Sequence, residues 1–124
     1  MISAEAANAV SVKDILSFLD SNVGKRVSEA SKKGLLRVEQ PFVLGELMQE
    51  ETTLVQGIID VYFEEEGELV VLDYKTDRVR YSKELIERYR TQLDYYAKAL
   101  EQVTNKRVKE KIIYSFTLKE EIEV

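Results

Sequence analysis

The stretch that decides the fold is Leu54-Val55-Gln56-Gly57-Ile58-Ile59-Asp60-Val61-Tyr62-Phe63. It is joined through Glu64-Glu65-Glu66-Gly67-Glu68 to Leu69-Val70-Val71-Leu72-Asp73-Tyr74-Lys75. Both runs are apolar at odd and even positions alike, the pattern of strands covered on both faces rather than of an open sheet. With Glu66-Gly67 as a two-residue turn, Glu65 faces Glu68 and Asp60 falls opposite Asp73. Side chains alternate along a strand, so Lys75 shares a face with Asp73 and is expected opposite Ile58. A one-residue slip of the turn would undo this convergence.

Upstream, Leu36, Val38, Phe42 and Leu44 alternate as a strand interrupted at the only proline, Pro41. Before them, Ser11-Val12-Lys13-Asp14 has the form of a helix start, with Val12, Ile15, Leu16 and Leu19 at helical spacing. A second helix is expected from about Asn22 to Lys33, with Val23, Val27 and Ala30 inward and Gly34 as its stop. Downstream, Lys83 to Val103 is the longest helical stretch, with Leu85, Tyr89, Leu93, Tyr96 and Leu100 as its inward stripe. Val108, Ile112, Tyr114, Phe116 and Leu118 make a last strand, and Lys119–Val124 reads as a frayed end. The order helix, helix, three strands, helix, strand predicts an α/β fold over residues 1–124.

Composition narrows the chemistry. Hydrophobic residues make up 44% and charged residues 33% of 124 residues, which suits one globular core and no membrane span. The N-terminal Met1–Asn8 lacks the basic and apolar regions of a signal peptide. Without cysteine, disulfides and thiol catalysis are excluded, and without histidine so is the Ser-His-Asp arrangement. Catalysis here must run on carboxylates, lysine, tyrosine or hydroxyls. The net charge of −5 is not the footprint of a protein that grips nucleic acid unaided. No glycine-rich loop follows a strand, which sets aside a nucleotide-binding domain.

An ionisable group inside an apolar strand needs a partner. Two carboxylates opposed across a strand pair repel one another, and a divalent cation resolves the conflict. A cation held by Asp60 and Asp73 would polarise a phosphoryl oxygen and acidify a water, while Lys75 orients the water or offsets phosphate charge. The plainer account is that both aspartates flank strands and Lys75 neutralises one of them. Arg78, Arg80, Lys83, Arg88 and Arg90 outnumber Glu84 and Glu87 locally, either as a phosphate-contacting edge or as a charge-mixed helix start.

Three blocks in order, Gly57-Ile58-Ile59-Asp60, Asp73-Tyr74-Lys75 and Gln92-Leu93-Asp94-Tyr95-Tyr96, resemble the signature of RecB-family nucleases. These belong to the PD-(D/E)xK superfamily, whose restriction-endonuclease-like fold is a mixed central sheet flanked by helices. Val55–Asp60, Leu72–Val79 and Arg88–Leu93 resemble more particularly the A-subunit nuclease domain of AddAB/RexAB-type helicase–nucleases.

The resemblance implies Asp60 and Asp73 as metal ligands, Lys75 as the catalytic lysine, and Mg2+ as cofactor with Mn2+ able to substitute. It implies Gln92 and Tyr96, at i and i+4 on one helix face, as DNA-binding or site-supporting residues. A core role for Tyr96 and a solvated one for Gln92 are the alternatives. Glu39 resembles an acidic residue that often opens the family's first core strand. The implied partners are DNA, the helicase part of the same protein and a second nuclease subunit, in the cytoplasm.

The family's metal-site histidine, on a helix before the strands, has no counterpart in this sequence. We expect the sequence to begin after that helix, natural loss being the alternative, and the metal to bind more weakly in either case. The rival reading is a non-catalytic nuclease-like module packed against a helicase or partner subunit.

Overall fold

The computed structural model describes residues 11–48 and 51–124. Helices α1 (Val12–Asp20) and α2 (Asn22–Lys32) precede strands β1 (Leu36–Met48), β2 (Glu51–Glu65) and β3 (Glu68–Lys75). Helix α3 (Ser82–Thr104) then crosses to β4 (Val108–Ser115), and a short β5 (Glu120–Glu123) follows. The sheet order is β1-β2-β3-β4-β5, antiparallel except for the parallel β3–β4 pair that α3 connects. This is the expected mixed sheet flanked by helices.

The turn falls at Glu66-Gly67, both at positive φ, which fixes Glu65 opposite Glu68 and Val61 opposite Leu72. With β2 on one edge and β4 on the other, β3 is central, and Leu69 to Tyr74 are all buried. One face joins Val61, Phe63, Val70, Leu72 and Tyr114 to α1 and α2 through Phe18, Val23 and Val27. The other joins Leu69, Val71 and Ile113 to α3 through Leu85, Leu93, Tyr96 and Leu100. The inward stripe of α3 is therefore as expected, with Tyr89 only partly buried.

Several local expectations change. Double-sided burial holds for β3 but not for the start of β2, where Leu54 and Ile58 are exposed. Here β1 and β2 continue beyond β3 as a two-stranded ribbon, because the β2–β3 ladder ends at Val61–Leu72. Lys75 consequently faces Ser115 of β4 and not Ile58. Pro41 interrupts nothing, since it lies on the edge strand, where its missing N–H is harmless. In α1 the core residue is Phe18, while Val12, Leu16 and Leu19 are exposed. The last strand stops at Ser115, and the supposed frayed end turns back as β5.

Gly57 leaves room for the Phe42 ring opposite it on β1. A Cβ there would lie 2.9 Å from the ring of Phe42, which in turn meets Tyr96 edge-on at 5.3 Å.

A charged clamp holds α2 to the sheet. The Arg26 guanidinium donates to Glu65 on β2 at 2.7 and 3.0 Å and to Glu110 on β4 at 2.6 and 3.2 Å. It therefore spans β3, and it also lies 5.7 Å from the Phe63 ring centroid. The Arg26 hydrogen bond holds the Glu65 carboxyl below its ordinary value of 4.5. A depressed carboxyl contributes stability above its unfolded pKa, and that contribution is lost as pH falls through the folded one. Arg26→Met should therefore cost about 1 kcal/mol near pH 7, the pair being partly solvated. The loss should shrink on acidification below 4.5. Urea unfolding at pH 7 and pH 3 checks this; an equal loss at both would assign the effect to packing.

Candidate active site

The sheet opens where β2 leaves β3. Continuing the register past Val61–Leu72 places Asp60 opposite Asp73, but no backbone rung forms there. The Tyr74 N–H instead donates to Asp60 Oδ2 at 3.1 Å, so a carboxylate takes the place of a ladder carbonyl. The β1–β2 ladder skips the same point, passing from Val38–Val61 to Gln40–Ile59. The residue of β1 at the gap is Glu39, exposed and at φ 48°, a left-handed conformation unusual for glutamate. Asp60 thus sits at a break in both ladders. Glu39 is brought to the same register position on the outer strand.

Asp73 is 2% exposed on the α3 face of β3. Burial, and then the facing Asp60 carboxyl, push its pKa up to about 7 against the opposing pull of Lys75. Lys75 Nζ is 2.9 Å from Asp73 Oδ2. That separation makes an ion pair, yet no donor is aligned for a hydrogen bond to this buried oxygen. Two facing carboxyl groups with one ammonium beside them leave negative charge that a divalent cation would offset. Among the described residues no group of three or more His, Cys, Asp or Glu side chains gathers at one point, so the acidic centre is the pair alone.

Helix α3 fixes the lysine. Its Nζ donates to Gln92 Oε1 at 3.2 Å and lies 4.0 Å from the centroid of the Tyr89 ring. Four residues after Gln92, Tyr96 is buried beside the same centre. Its hydroxyl pKa is raised by burial, and further by the charges of Asp73 and Asp60. All five residues singled out in the sequence, Asp60, Asp73, Lys75, Gln92 and Tyr96, therefore meet at the end of β3 under one face of α3. Tyr96 also serves the core, through its ring contact with Phe42.

Sequence reading overlooked two supports. Asp77 Oδ2 accepts from the Tyr89 hydroxyl at 2.7 Å and from Arg88 Nη1 at 2.5 Å. Burial, and then this bond to Asp77, push the Tyr89 hydroxyl up to about 12, so it stays a donor and its ring stays against Lys75. Two signals were available: Asp77 continues the parity of Asp73 and Lys75, and Tyr89 precedes Gln92 by one helical turn.

Comparisons with known proteins bear on the family and the fold. The sequence pattern of the PD-(D/E)XK nuclease superfamily matches residues 9–123. The chain is 40% identical to the A subunit of the ATP-dependent helicase/nuclease from Clostridium novyi, over 99% of this chain and 11% of that protein. The proteins of the same name from Lachnoclostridium phytofermentans and Anoxybacillus flavithermus are 36% and 39% identical, over 100% and 93% of this chain. They are covered to 12% and 10%, so the chain spans about a tenth of the length of these relatives. Among solved structures, the crystal structure of SSO0001 superposes with a TM-score of 0.55 at 17% identity, over 90% of this chain and 48% of that one. That likeness concerns the fold.

The elevated Asp73 pKa has a signed consequence. Its contribution to stability is fully present below the unfolded value of 3.8 and is lost as pH rises toward about 7. Asp73→Asn, which keeps a donor for Asp60, should gain on the metal-free wild type as pH rises, by more than about 1 kcal/mol at pH 8. Denaturant midpoints at pH 5 and pH 8 measure this, and an advantage that did not grow with pH would refute the buried-pair account.

Proposed function

This chain belongs to the PD-(D/E)XK nuclease superfamily, and we propose that it is the metal-dependent nuclease module of a larger bacterial helicase–nuclease. In that setting it hydrolyses DNA phosphodiesters, exonucleolytically, during double-strand-break repair and recombination in the cytoplasm. Its companions are the helicase part of the same protein and a second nuclease subunit. The single observation that carries the reading is the buried Asp73 carboxyl facing Asp60 beside Lys75.

Asp60 and Asp73 are the residues that would hold Mg2+, with Mn2+ able to substitute. A divalent cation there supplies charge stabilisation at the phosphoryl group and a more acidic water. The protein's own groups do the rest. The Lys75 ammonium carries three donors; Gln92 takes one, the Tyr89 ring covers another side, and the same nitrogen lies 2.9 Å from Asp73 Oδ2. Lys75 is thereby aimed to hold the attacking water or to donate to the phosphate oxygen that gains charge. In the hydrolysis the water oxygen bonds to phosphorus, one P–O ester bond breaks, and the departing oxygen takes up a proton. Asp73 is itself 2% exposed, and the buried Tyr96 feels its charge and that of Asp60, so these interactions act in a poorly solvated setting.

A second reading, a non-catalytic module packed on a larger body, draws on the exposed apolar stripe Val12, Leu16 and Leu19 of α1. The two readings differ at Asp73. Under the nuclease reading the chain binds Mn2+ weakly by calorimetry at low salt, and Asp73→Ala abolishes the heat. Lys75→Ala retains binding but lowers any Mn2+-dependent cleavage by roughly 100-fold or more. Equal heats from wild type and Asp73→Ala would favour the packing module.

A further inference from the structure

Three ties hold the Lys75 ammonium, and only one of them runs to an aspartate of the acidic pair. It lies 2.9 Å from Asp73 Oδ2, donates to Gln92 Oε1 at 3.2 Å, and stands 4.0 Å from the centroid of the Tyr89 ring. The three respond differently to a cation at the aspartates. Asp73 then shares its charge with the newcomer, and a second positive charge repels the lysine, so that tie weakens. The Gln92 amide oxygen and the Tyr89 ring face belong to α3 and are neutral, so their hold remains.

The ring itself has to be kept over the lysine. Tyr89 is only partly buried, so core packing on α3 does not fix it alone. Its hydroxyl donates to Asp77 Oδ2 at 2.7 Å, and the half-exposed Arg88 donates to the same oxygen at 2.5 Å. Asp77 follows Lys75 by two residues on the segment leaving β3, and Val79, two further on, is buried in the α3-side core. Lys75 and Asp77 thus leave one strand end together, and Tyr89 bridges them, with its ring on the first and its hydroxyl on the second. A partly solvated Asp77–Arg88 pair contributes little to stability by itself. Its consequence lies in where it sets the ring.

We propose that Tyr89, held by Asp77, is the positioning residue that keeps the Lys75 ammonium in place once Asp73 no longer holds it. Asp77 acts on the lysine through the orientation of the ring. The inference rests on the nuclease reading for what Lys75 does, and adds the two residues that aim it.

The first test needs no metal. In the 124-residue chain with 13C-labelled lysine, the ε-methylene protons of Lys75 should resonate upfield of exposed lysines such as Lys83, because the Tyr89 ring shields them. Loss of that signal in Lys75→Ala assigns it. Asp73→Asn removes the charge of the competing tie, and the upfield position should persist. Adding Asp77→Leu to Asp73→Asn should move the signal at least halfway to the exposed-lysine position. Adding Asp77→Asn, which retains an acceptor for the Tyr89 hydroxyl, should leave it in place. The inference is overturned if Asp73→Asn alone releases the signal, if Asp77→Leu leaves it unmoved, or if Asp77→Asn acts like Asp77→Leu.

The second test reads Mn2+ affinity and cleavage side by side. Tyr89→Leu should lower kcat of Mn2+-dependent cleavage about 10-fold, with KM unchanged and Mn2+ bound no more weakly than by wild type. Tyr89→Phe, which keeps the ring, should recover part of the loss. Mn2+ affinity that falls in step with cleavage in Tyr89→Leu would make Tyr89 a general support of the acidic pair and overturn its assigned role. A wild type that neither binds Mn2+ nor cleaves, yet shows the expected lysine signals, removes the nuclease reading and leaves the hold on Lys75 supported.

Discussion

A strand paired along both edges and packed on both faces gives its side chains little route to water, and β3 is such a strand as far as Leu72, with burial continuing through Tyr74. Its parallel partnership with β4, made through α3, closes the edge that the β2 hairpin leaves open. Six consecutive residues, Leu69 to Tyr74, are buried as a result, and five of them are apolar or aromatic. The sixth is Asp73. Its carboxylate costs free energy that an apolar residue would not, so the sheet that gives the fold its stability also holds one group in a state of tension. The break in the ladders at Asp60 brings a second carboxylate to that group where backbone pairing would otherwise continue.

The polar residues nearby share this tension unequally. Lys75 offsets part of it by charge, but Gln92 and the Tyr89 ring draw the ammonium toward α3. Asp77 then steadies Tyr89 from behind. The arrangement is layered: a buried acid, a lysine held to one side of it, and a helix face that fixes the lysine. Because α3 carries Gln92 and Tyr96 on the stripe that also supplies Leu93 and Leu100 to the core, site and core are set by one helix orientation. The Arg26 clamp on the opposite face holds β2 and β4 at fixed spacing around β3.

Much of this was legible in the residues. The Glu66-Gly67 turn set a register that the structure repeats, and that register put Asp60 across from Asp73 before any contact was known. The period of α3 gave Leu85, Leu93, Tyr96 and Leu100 correctly. Where the reading departed, long-range geometry was responsible. The apolar character of Leu54 and Ile58 is indistinguishable locally from that of Val70 and Val71, yet the ribbon carries the first two past the end of β3. In α1, Val12, Leu16 and Leu19 are spaced as well as any core stripe, and only the position of the sheet selects Phe18 instead. The return of β5 depends on Glu121, which accepts from the Val23 N–H at 2.6 Å and from Asn22 at the start of α2, a contact across about a hundred residues.

The two outer strands carry a consequence of another kind. On β1, Pro41 offers no donor and Glu39 turns its backbone out of line. On the far side, β5 is four residues long and three of them are glutamate. Neither border is a good template for an incoming strand, since one lacks a regular row of donors and the other is short and negatively charged. Edge-to-edge stacking into fibrils is thereby discouraged during synthesis and storage, even though the interior is rich in sheet-forming residues. A partner meeting these borders would find an irregular row of donors on β1 and a short acidic strand in β5, so the helices, ribbon and loops are the readier handholds.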